Sequence, residues 1–333
     1  MVDQDPSRRT FLSQFAIGVA GTLLGGIGVG NAMNYWATSQ NNSPDVPLQG
    51  LQIAPATLTT ASGINIHHIQ TGWVAVKQAH RAYDGLDGTG ILAIAMDKSW
   101  TEWLPISTWA IEHPEGVIVI DTGETARANQ PNYYQTGDDV FYKSFLRFAV
   151  TPEDEIGSQL QGLGIPPQEV RWVIQTHLHG DHMGGMRSFP NAEFIISPLD
   201  YPRSTGALPY HYPDWLAPTL VDFSGESLIG FDGSYAVTQL GDVLVVPTRG
   251  HSNGHQSVIL RDGDLSFFFA GDTTFDDEQL RQITTAGIVA DVQTSRHTLD
   301  RIQSYVQSTP TIYLPSHDHN TRLRLLNQTT MTF

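Results

Sequence analysis

A mixed α/β fold with two β-sheets packed on one another is predicted by three features of the chain. Strand-like runs fill both halves, in the stretches 64–121 and 235–270. Helix-patterned segments are fewer and interleaved, at Glu153–Leu163, Asp277–Ile283 and Ser295–Gln307. Between the halves lies a loop, Thr176 to Gly185, that leaves an apolar β-branched run and enters a helix.

The elements follow in order. Alternating apolar residues give strands over Ile64–Ile69, Gly72–Val76 and Ile91–Met96. Thr108–His113 and Val117–Asp121 flank Pro114-Glu115-Gly116 and read as a hairpin. The aromatic-rich stretch Arg127–Val150 reads as a core helix, with a substrate lid as the alternative. Glu153–Leu163 carries apolar residues at helical spacing, acids in its first turn and Gly164 as a stop. Strands follow at Val170–Thr176 and Glu193–Ile196. Leu199–Leu220 is irregular, rich in aromatics and proline, and longer than idle connections usually are. Hairpins are expected across Gly241-Asp242 (Tyr235–Leu240 with Val243–Pro247) and across Asp262-Gly263 (Gln256–Arg261 with Leu265–Ala270). Thr311–Leu314 is the last strand.

Composition narrows the function. Apolar residues make up 40% of the 333, enough for a large core. Lys and Arg number 18 against 34 Asp and Glu, a net charge of -16. That field repels a phosphate backbone, so nucleic acid is excluded as a partner. There is no cysteine. Any metal must therefore be held by nitrogen and oxygen.

The loop itself reads Thr-His-Leu-His-Gly-Asp-His-Met-Gly-Gly. At this chain's histidine content such a string arises by chance on the order of 10⁻³ times. In an extended loop residues two apart point the same way, so His177 and His179 can share one cation while Asp181 and His182 face a second. A two-metal hydrolytic site also needs ligands from other strand ends and a bridging carboxylate. His251, Asp272 and His317 each follow an apolar run and are the candidates, with Asp272 as the bridge.

The series His177, His179, Asp181, His182, then Gly250-His251-Ser252-Asn253-Gly254-His255, Gly271-Asp272 and Ser316-His317-Asp318 resembles the metallo-β-lactamase superfamily from Asp121 onward. Within it, Gly-His-Ser-x-Gly-His-Gln-Ser and Ser-His-Asp are most similar to the N-acyl-homoserine lactonases. The resemblance implies a four-layer αββα sandwich with a dinuclear site at one edge. It implies two divalent ions, zinc by default, with iron, manganese or cobalt equally compatible with the ligand types. It also implies that a hydroxide shared by the two ions attacks a lactone or ester carbonyl, with Asp181 passing a proton to the leaving group. Acid should then remove activity, because ligating histidines must be neutral. His255 is expected to support the ligands rather than join them. His113, His297 and His319 are read as ordinary histidines.

One position departs from the lactonase pattern. The tyrosine expected three residues after the bridging aspartate is Phe275, whose ring cannot donate to a substrate carbonyl. Tyr201, Tyr210 or Tyr212 from the long loop are candidate replacements. The departure keeps other same-fold hydrolases open, acting on phosphotriesters, aryl esters or thioesters. A β-lactamase fits less well, because such enzymes lack an aspartate at the Asp272 position. An exported, non-catalytic metal-binding protein is the alternative of a different class.

Ser7-Arg8-Arg9-Thr10-Phe11-Leu12 and the glycine-rich run to Gly30 read as a twin-arginine export signal or anchor over residues 1–37. A linker over 38–50 leads to a metallo-hydrolase domain over 51–333. The expected location is periplasmic or otherwise extracytoplasmic, with membrane contact only through the first segment if it is retained. The expected partner is a small ester or lactone. Oligomeric state is not legible.

Overall fold

The computed structural model describes Pro44, residues 53–135 and 138–333, with the backbone alone at Asp139 and Val140. The expected export segment, and the linker apart from Pro44, lie outside the described residues. Among the described residues no helix is long and apolar enough to cross a membrane.

The chain begins with strands β1 (Ala56–Thr59) and β2 (Asn65–Val76), then short helices α1 (Gln78–Arg81) and α2 (Gly90–Met96). The hairpin β3 (Leu104–His113) and β4 (Gly116–Ile120) forms as its turn residues predict. Helix α3 (Asp138–Phe145), strand β5 (Leu146–Ala149) and helix α4 (Ile156–Gly162) lead to β6 (Val170–Ile174), the one-turn helix α5 (Gly180–Met183) and β7 (Glu193–Ile196). β8 (Thr219–Leu220) completes an eight-stranded sheet ordered β1-β2-β3-β4-β6-β7-β8, with β5 paired to β2. The second sheet has β9 (Tyr235–Ala236), β10 (Val243–Pro247), β11 (Gln256–Asp262), β12 (Leu265–Gly271) and β13 (Thr311–Pro315), in order β13-β12-β11-β10-β9. Helices α6 (Asp277–Gln282) and α7 (Val292–Ser308) precede β13, and α8 (Thr321–Leu326) follows it.

Period-two burial explains why the sheets stack. Ile118 and Ile120 of β4 and Val243, Val245, Phe267 and Phe269 of the second sheet point into one shared core. Their neighbours point the other way. Val119 joins the core beneath α3 and α4, and Val246, Phe268 and Ala270 join the core under α7. Strands covered on both faces read as unbroken apolar runs, as Phe267-Phe268-Phe269-Ala270 does. The result is the expected four-layer αββα sandwich.

Four segments differ from expectation. Gly90–Met96 is helix rather than strand: its buried positions are Gly90 and Ile94, four apart on one helical face. The two strands expected around Gly72 are one, β2, with a register shift between Gln70 and Trp73 that Gly72 accommodates at φ 127. Arg127–Val150 is not one helix, because its end pairs with β2 as strand β5. The Tyr235–Leu240 strand is also shorter than expected, ending at Ala236.

Topology then fixes where function can sit. β4, β6 and β7 run parallel, as do β12 and β13, and β2 and β10 run in the same sense as β4 and β12 through intervening antiparallel neighbours. Their C-terminal ends therefore open on one edge of each sheet, the place where loops of α/β proteins gather ligands.

Candidate metal centre

Every expected ligand follows the C-terminal end of one of those co-directional strands. His177, His179, Asp181 and His182 lie beyond β6, His251 beyond β10, Asp272 beyond β12 and His317 beyond β13. The structure brings all seven together in three overlapping groups: His177 with His179 and His251, His177 with His182 and Asp272, and Asp181 with His182 and His317. In each group the ligand atoms lie within 4.8 Å of one another. Asp272 is central. Its Oδ1 is 3.2 Å from His182 Nε2, and its Oδ2 is 3.5 Å from His251 Nε2 and 3.3 Å from His317 Nε2. Asp181 Oδ2 is 3.4 Å from His317 Nε2.

The outward nitrogens determine what the inward ones can do. His182 Nδ1 donates to Asp121 Oδ2 at 2.8 Å, His317 Nδ1 to the Pro105 carbonyl at 2.8 Å, and His179 Nε2 to the Thr205 carbonyl at 3.1 Å. In the neutral ring each inward nitrogen is thereby left with a lone pair, the state that binds a cation. His179 Nδ1 and His251 Nε2 face each other at 3.0 Å. Two imidazoles on one tetrahedral zinc stand about 3.4 Å apart. The inward His177 Nε2, His182 Nε2 and Asp272 Oδ1 are buried with no hydrogen-bond partner. Buried polar atoms are rarely left so, and convergent lone pairs are what a cation satisfies. The donor set therefore fits a pair of divalent ions.

Electrostatics agrees. Burial alone would raise Asp272, but positive charge on His317 and His182 outweighs it and holds the carboxyl well below its ordinary range. Burial in turn lowers those two imidazoles, yet the Asp272 carboxylate outweighs it and raises both, so the cluster favours positive charge at the place where a cation would sit. Burial and the neighbouring imidazoles of His182, His179 and His251 push His177 well down, so it is neutral and able to ligate.

Supporting residues explain the precision. His255 does not join the ligands: its Nε2 receives the Asp272 backbone N–H at 3.0 Å, and its Nδ1 meets Thr248 Oγ1 at 2.9 Å. Gly271, at φ 58, lets this happen, since a Cβ there would come within 2.7 Å of His255 Nε2. Asp121 directly follows β4, at φ 57, and also accepts the Thr176 backbone N–H at 2.7 Å and its hydroxyl at 2.8 Å. It lies three residues from Glu124, a buried carboxyl that burial pushes up to about 8. Neither was assigned a role by sequence reasoning, although Asp121 closes a predicted strand.

A cavity of about 480 Å³ opens over the cluster, with His179, Asp181, His251, Asp272 and His317 in its wall. Val74, Val76, Phe141, Tyr142, Leu146 and Phe275 form its apolar lining. The long loop supplies Arg203 to Ala207 and Tyr210, as its length and aromatics suggested. Phe275 stacks on His317 with centroids 5.3 Å apart. Of the three tyrosines, only Tyr210 lines the cavity, and its hydroxyl donates to Asp138 Oδ2 at 3.0 Å. Tyr201 and Tyr212 stack on each other at 6.0 Å away from that lining. His80, on α1, also lines the cavity and was not singled out from the sequence. His113 is paired with Asp242 at 3.0 Å, while His297 and His319 are exposed.

Residues 101–317 match the family model of the metallo-beta-lactamase superfamily. The chain belongs to that superfamily. It is 32% identical to the N-acyl homoserine lactonase AttM of Azorhizobium caulinodans over 47% of this chain and 60% of that one. It is 26% identical to the AttM lactonase of Agrobacterium fabrum over 65% of this chain and 82% of that protein. Among solved structures, an N-acyl homoserine lactone hydrolase with N-hexanoyl-L-homoserine at its catalytic metal center superposes with a TM-score of 0.64. That match is 20% identical and covers 84% of this chain and 98% of the other, a likeness of fold.

Proposed function

We propose that this superfamily member is a dinuclear metal-dependent hydrolase that opens lactones or esters, with an N-acyl homoserine lactone as the leading substrate. The observation that carries the reading is a cation-ready cluster at the floor of a mostly apolar cavity. That pairing suits a polar, hydrolysable head carrying an acyl tail. Similarity to two curated lactonases supports the choice of substrate.

A pair of divalent cations, zinc by default, supplies Lewis acidity that brings the pKa of water towards neutrality. The protein residues supply position and protons. His177, His179 and His251 would hold one ion, Asp181, His182 and His317 the other, and Asp272 both. Asp181 lines the cavity and is the proton carrier: it takes a proton from the attacking water and returns it to the ring oxygen as the acyl C–O bond breaks. The products are a carboxylic acid and an alcohol, so net proton release reports turnover. Phe141, Tyr142 and Leu146 exclude water around the acyl chain. Delivery of the folded, loaded protein by the twin-arginine route is part of the same proposal, supported by Ser7 to Leu12.

The test is a proton-release assay of the metal-loaded protein across acyl-homoserine lactones, simple lactones, thioesters, aryl esters and phosphotriesters. Turnover is expected to be fastest on the acyl lactones. No turnover of any lactone would overturn the reading in favour of another member of the panel.

A further inference from the structure

Phe275 leaves the cavity without a donor at the place where a phenol would be expected, and the structure puts an imidazole against that ring. His80 meets Phe275 edge to face, with centroids 6.1 Å apart, and Phe275 in turn stacks on the ligand His317. His80 is buried at 8% exposure and lines the cavity. Its Nδ1 is enclosed with no partner, which leaves the Nε2 edge as the one that a molecule in the cavity can meet.

Several contacts fix the backbone that carries this ring. β2 ends at Val76 on the same sheet edge as the metal ligands, and α1 begins two residues later. The His80 N–H donates to the Lys77 carbonyl at 2.9 Å, and its carbonyl accepts from Gly287 at 2.9 Å. The neighbouring Gln279 side chain ties Phe275 to the same turn: it accepts the Phe275 N–H at 2.7 Å and donates to the Arg81 carbonyl at 2.8 Å. Phe275 and His80 are therefore held against each other through one side chain. The cavity's phenols are engaged elsewhere, Tyr142 with the Gly206 carbonyl at 3.1 Å and Tyr210 with Asp138.

Resting on the hydrolase reading above, we infer that His80 is a catalytic hydrogen-bond donor: its Nε2–H takes the carbonyl oxygen of the substrate, where Phe275 can offer nothing. A neutral ring serves this role. Enclosed Nδ1 is the cheaper atom to leave without a partner as a bare lone pair than as an N–H, which favours the Nε2–H tautomer. Burial, with the nearby His179, holds the imidazole down at about 4, so it stays neutral at assay pH. A donor aimed at developing negative charge in a water-poor cavity contributes most in the transition state.

The experiment compares His80→Phe, His80→Gln and the pair His80→Phe with Phe275→Tyr in metal-loaded full-length protein, using the best substrate of the assay panel. Metal content and thermal midpoint are recorded for each, and affinity for N-hexanoyl-L-homoserine is measured by calorimetry. We expect His80→Phe to lose about 100-fold in kcat/KM and to bind the probe more weakly, with metal content unchanged. His80→Gln, which keeps an N–H, recovers at least tenfold, as does the added Phe275→Tyr. Wild-type-like kcat/KM in His80→Phe overturns the inference, and so does a loss that tracks metal loss or lowered melting in both single variants. A wild type that opens no lactone refutes the substrate reading instead. The same three-way comparison on the preferred ester or phosphotriester then decides the role of His80.

Discussion

Asp121 accepts the Nδ1–H of His182 at 2.8 Å while also holding the backbone and hydroxyl of Thr176, one residue before the first ligand of the loop. One carboxylate thus orients the loop and sets the protonation of one of its ligands. Carboxylates behind ligating histidines typically account for 10- to 100-fold in metal affinity. Asp121→Asn should lower zinc affinity by about that factor, measured by chelator competition, while the far-ultraviolet dichroism stays native. Unchanged affinity would show that His182 is held by other contacts.

The approach of His255 to the Asp272 backbone depends on the missing side chain of Gly271. Adding a Cβ there meets His255 Nε2 at 2.7 Å and Thr176 at 2.9 Å, on a backbone at φ 58. Strain of this kind costs about 1 to 3 kcal/mol. Gly271→Ala should lower the unfolding free energy obtained from urea titration by that amount, moving the midpoint downward, and weaken metal binding as Asp272 is displaced. A variant with wild-type urea midpoint and metal affinity would contradict the account.

The apolar lining predicts a chain-length series. Each buried methylene is worth about 0.8 kcal/mol, or roughly fourfold in binding. KM for acyl lactones should therefore fall by up to about fourfold per CH₂ until the tail outgrows the cavity, then level. Phe141→Ala should flatten the slope. KM values independent of chain length would place the acyl tail outside the lining described.

His68 gives a pH signature separate from the metal centre. It is buried against Trp109 and bonded to Ser107 Oγ at 3.0 Å. Burial, with Arg322 adding to it, holds it at about 3 against 6.5 when unfolded. A depressed value means that the unfolded chain binds the proton first. The stability in question is full above pH 6.5 and is lost progressively as pH falls towards 3, with an upper bound of roughly 5 kcal/mol. His68→Gln keeps a partner for Ser107 without titrating. The thermal midpoint of wild type should drop relative to this variant between pH 6.5 and 4; parallel curves would contradict the assignment.

Much of the site was legible because its signals are local or sit at predictable places. The His177–His182 string carries four candidate ligands in one loop, and His251, Asp272 and His317 each follow an apolar run whose end topology brings to one edge. What escaped depends on contacts between distant segments. Asp121 looks like any strand-ending aspartate until Thr176 and His182 fold onto it. His80 stands alone among Lys77 to Arg81, and only the packing of Phe275 against it gives it a role. Ile91–Met96 reads as strand because its run of small and apolar residues hides a helical period, visible only in which positions of the helix, Gly90 and Ile94, are buried. Gly72 reads as a break because a sequence does not show that its partner strand β3 continues past the bulge. Phe275 stands out in the sequence as a departure, but that Tyr201 and Tyr212 do not replace the missing phenol follows only from their packing on each other, outside the cavity lining.

The central claim is that Asp272 joins two cations held by six other side chains. Its most direct test is equilibrium dialysis of the apo-protein against zinc, with bound metal counted by elemental analysis in wild type and in Asp272→Ala. Two tightly held ions per chain in wild type, falling to one or none in the variant, are predicted. A wild type that retains no zinc, or an Asp272→Ala protein that keeps both ions at wild-type affinity, would contradict it.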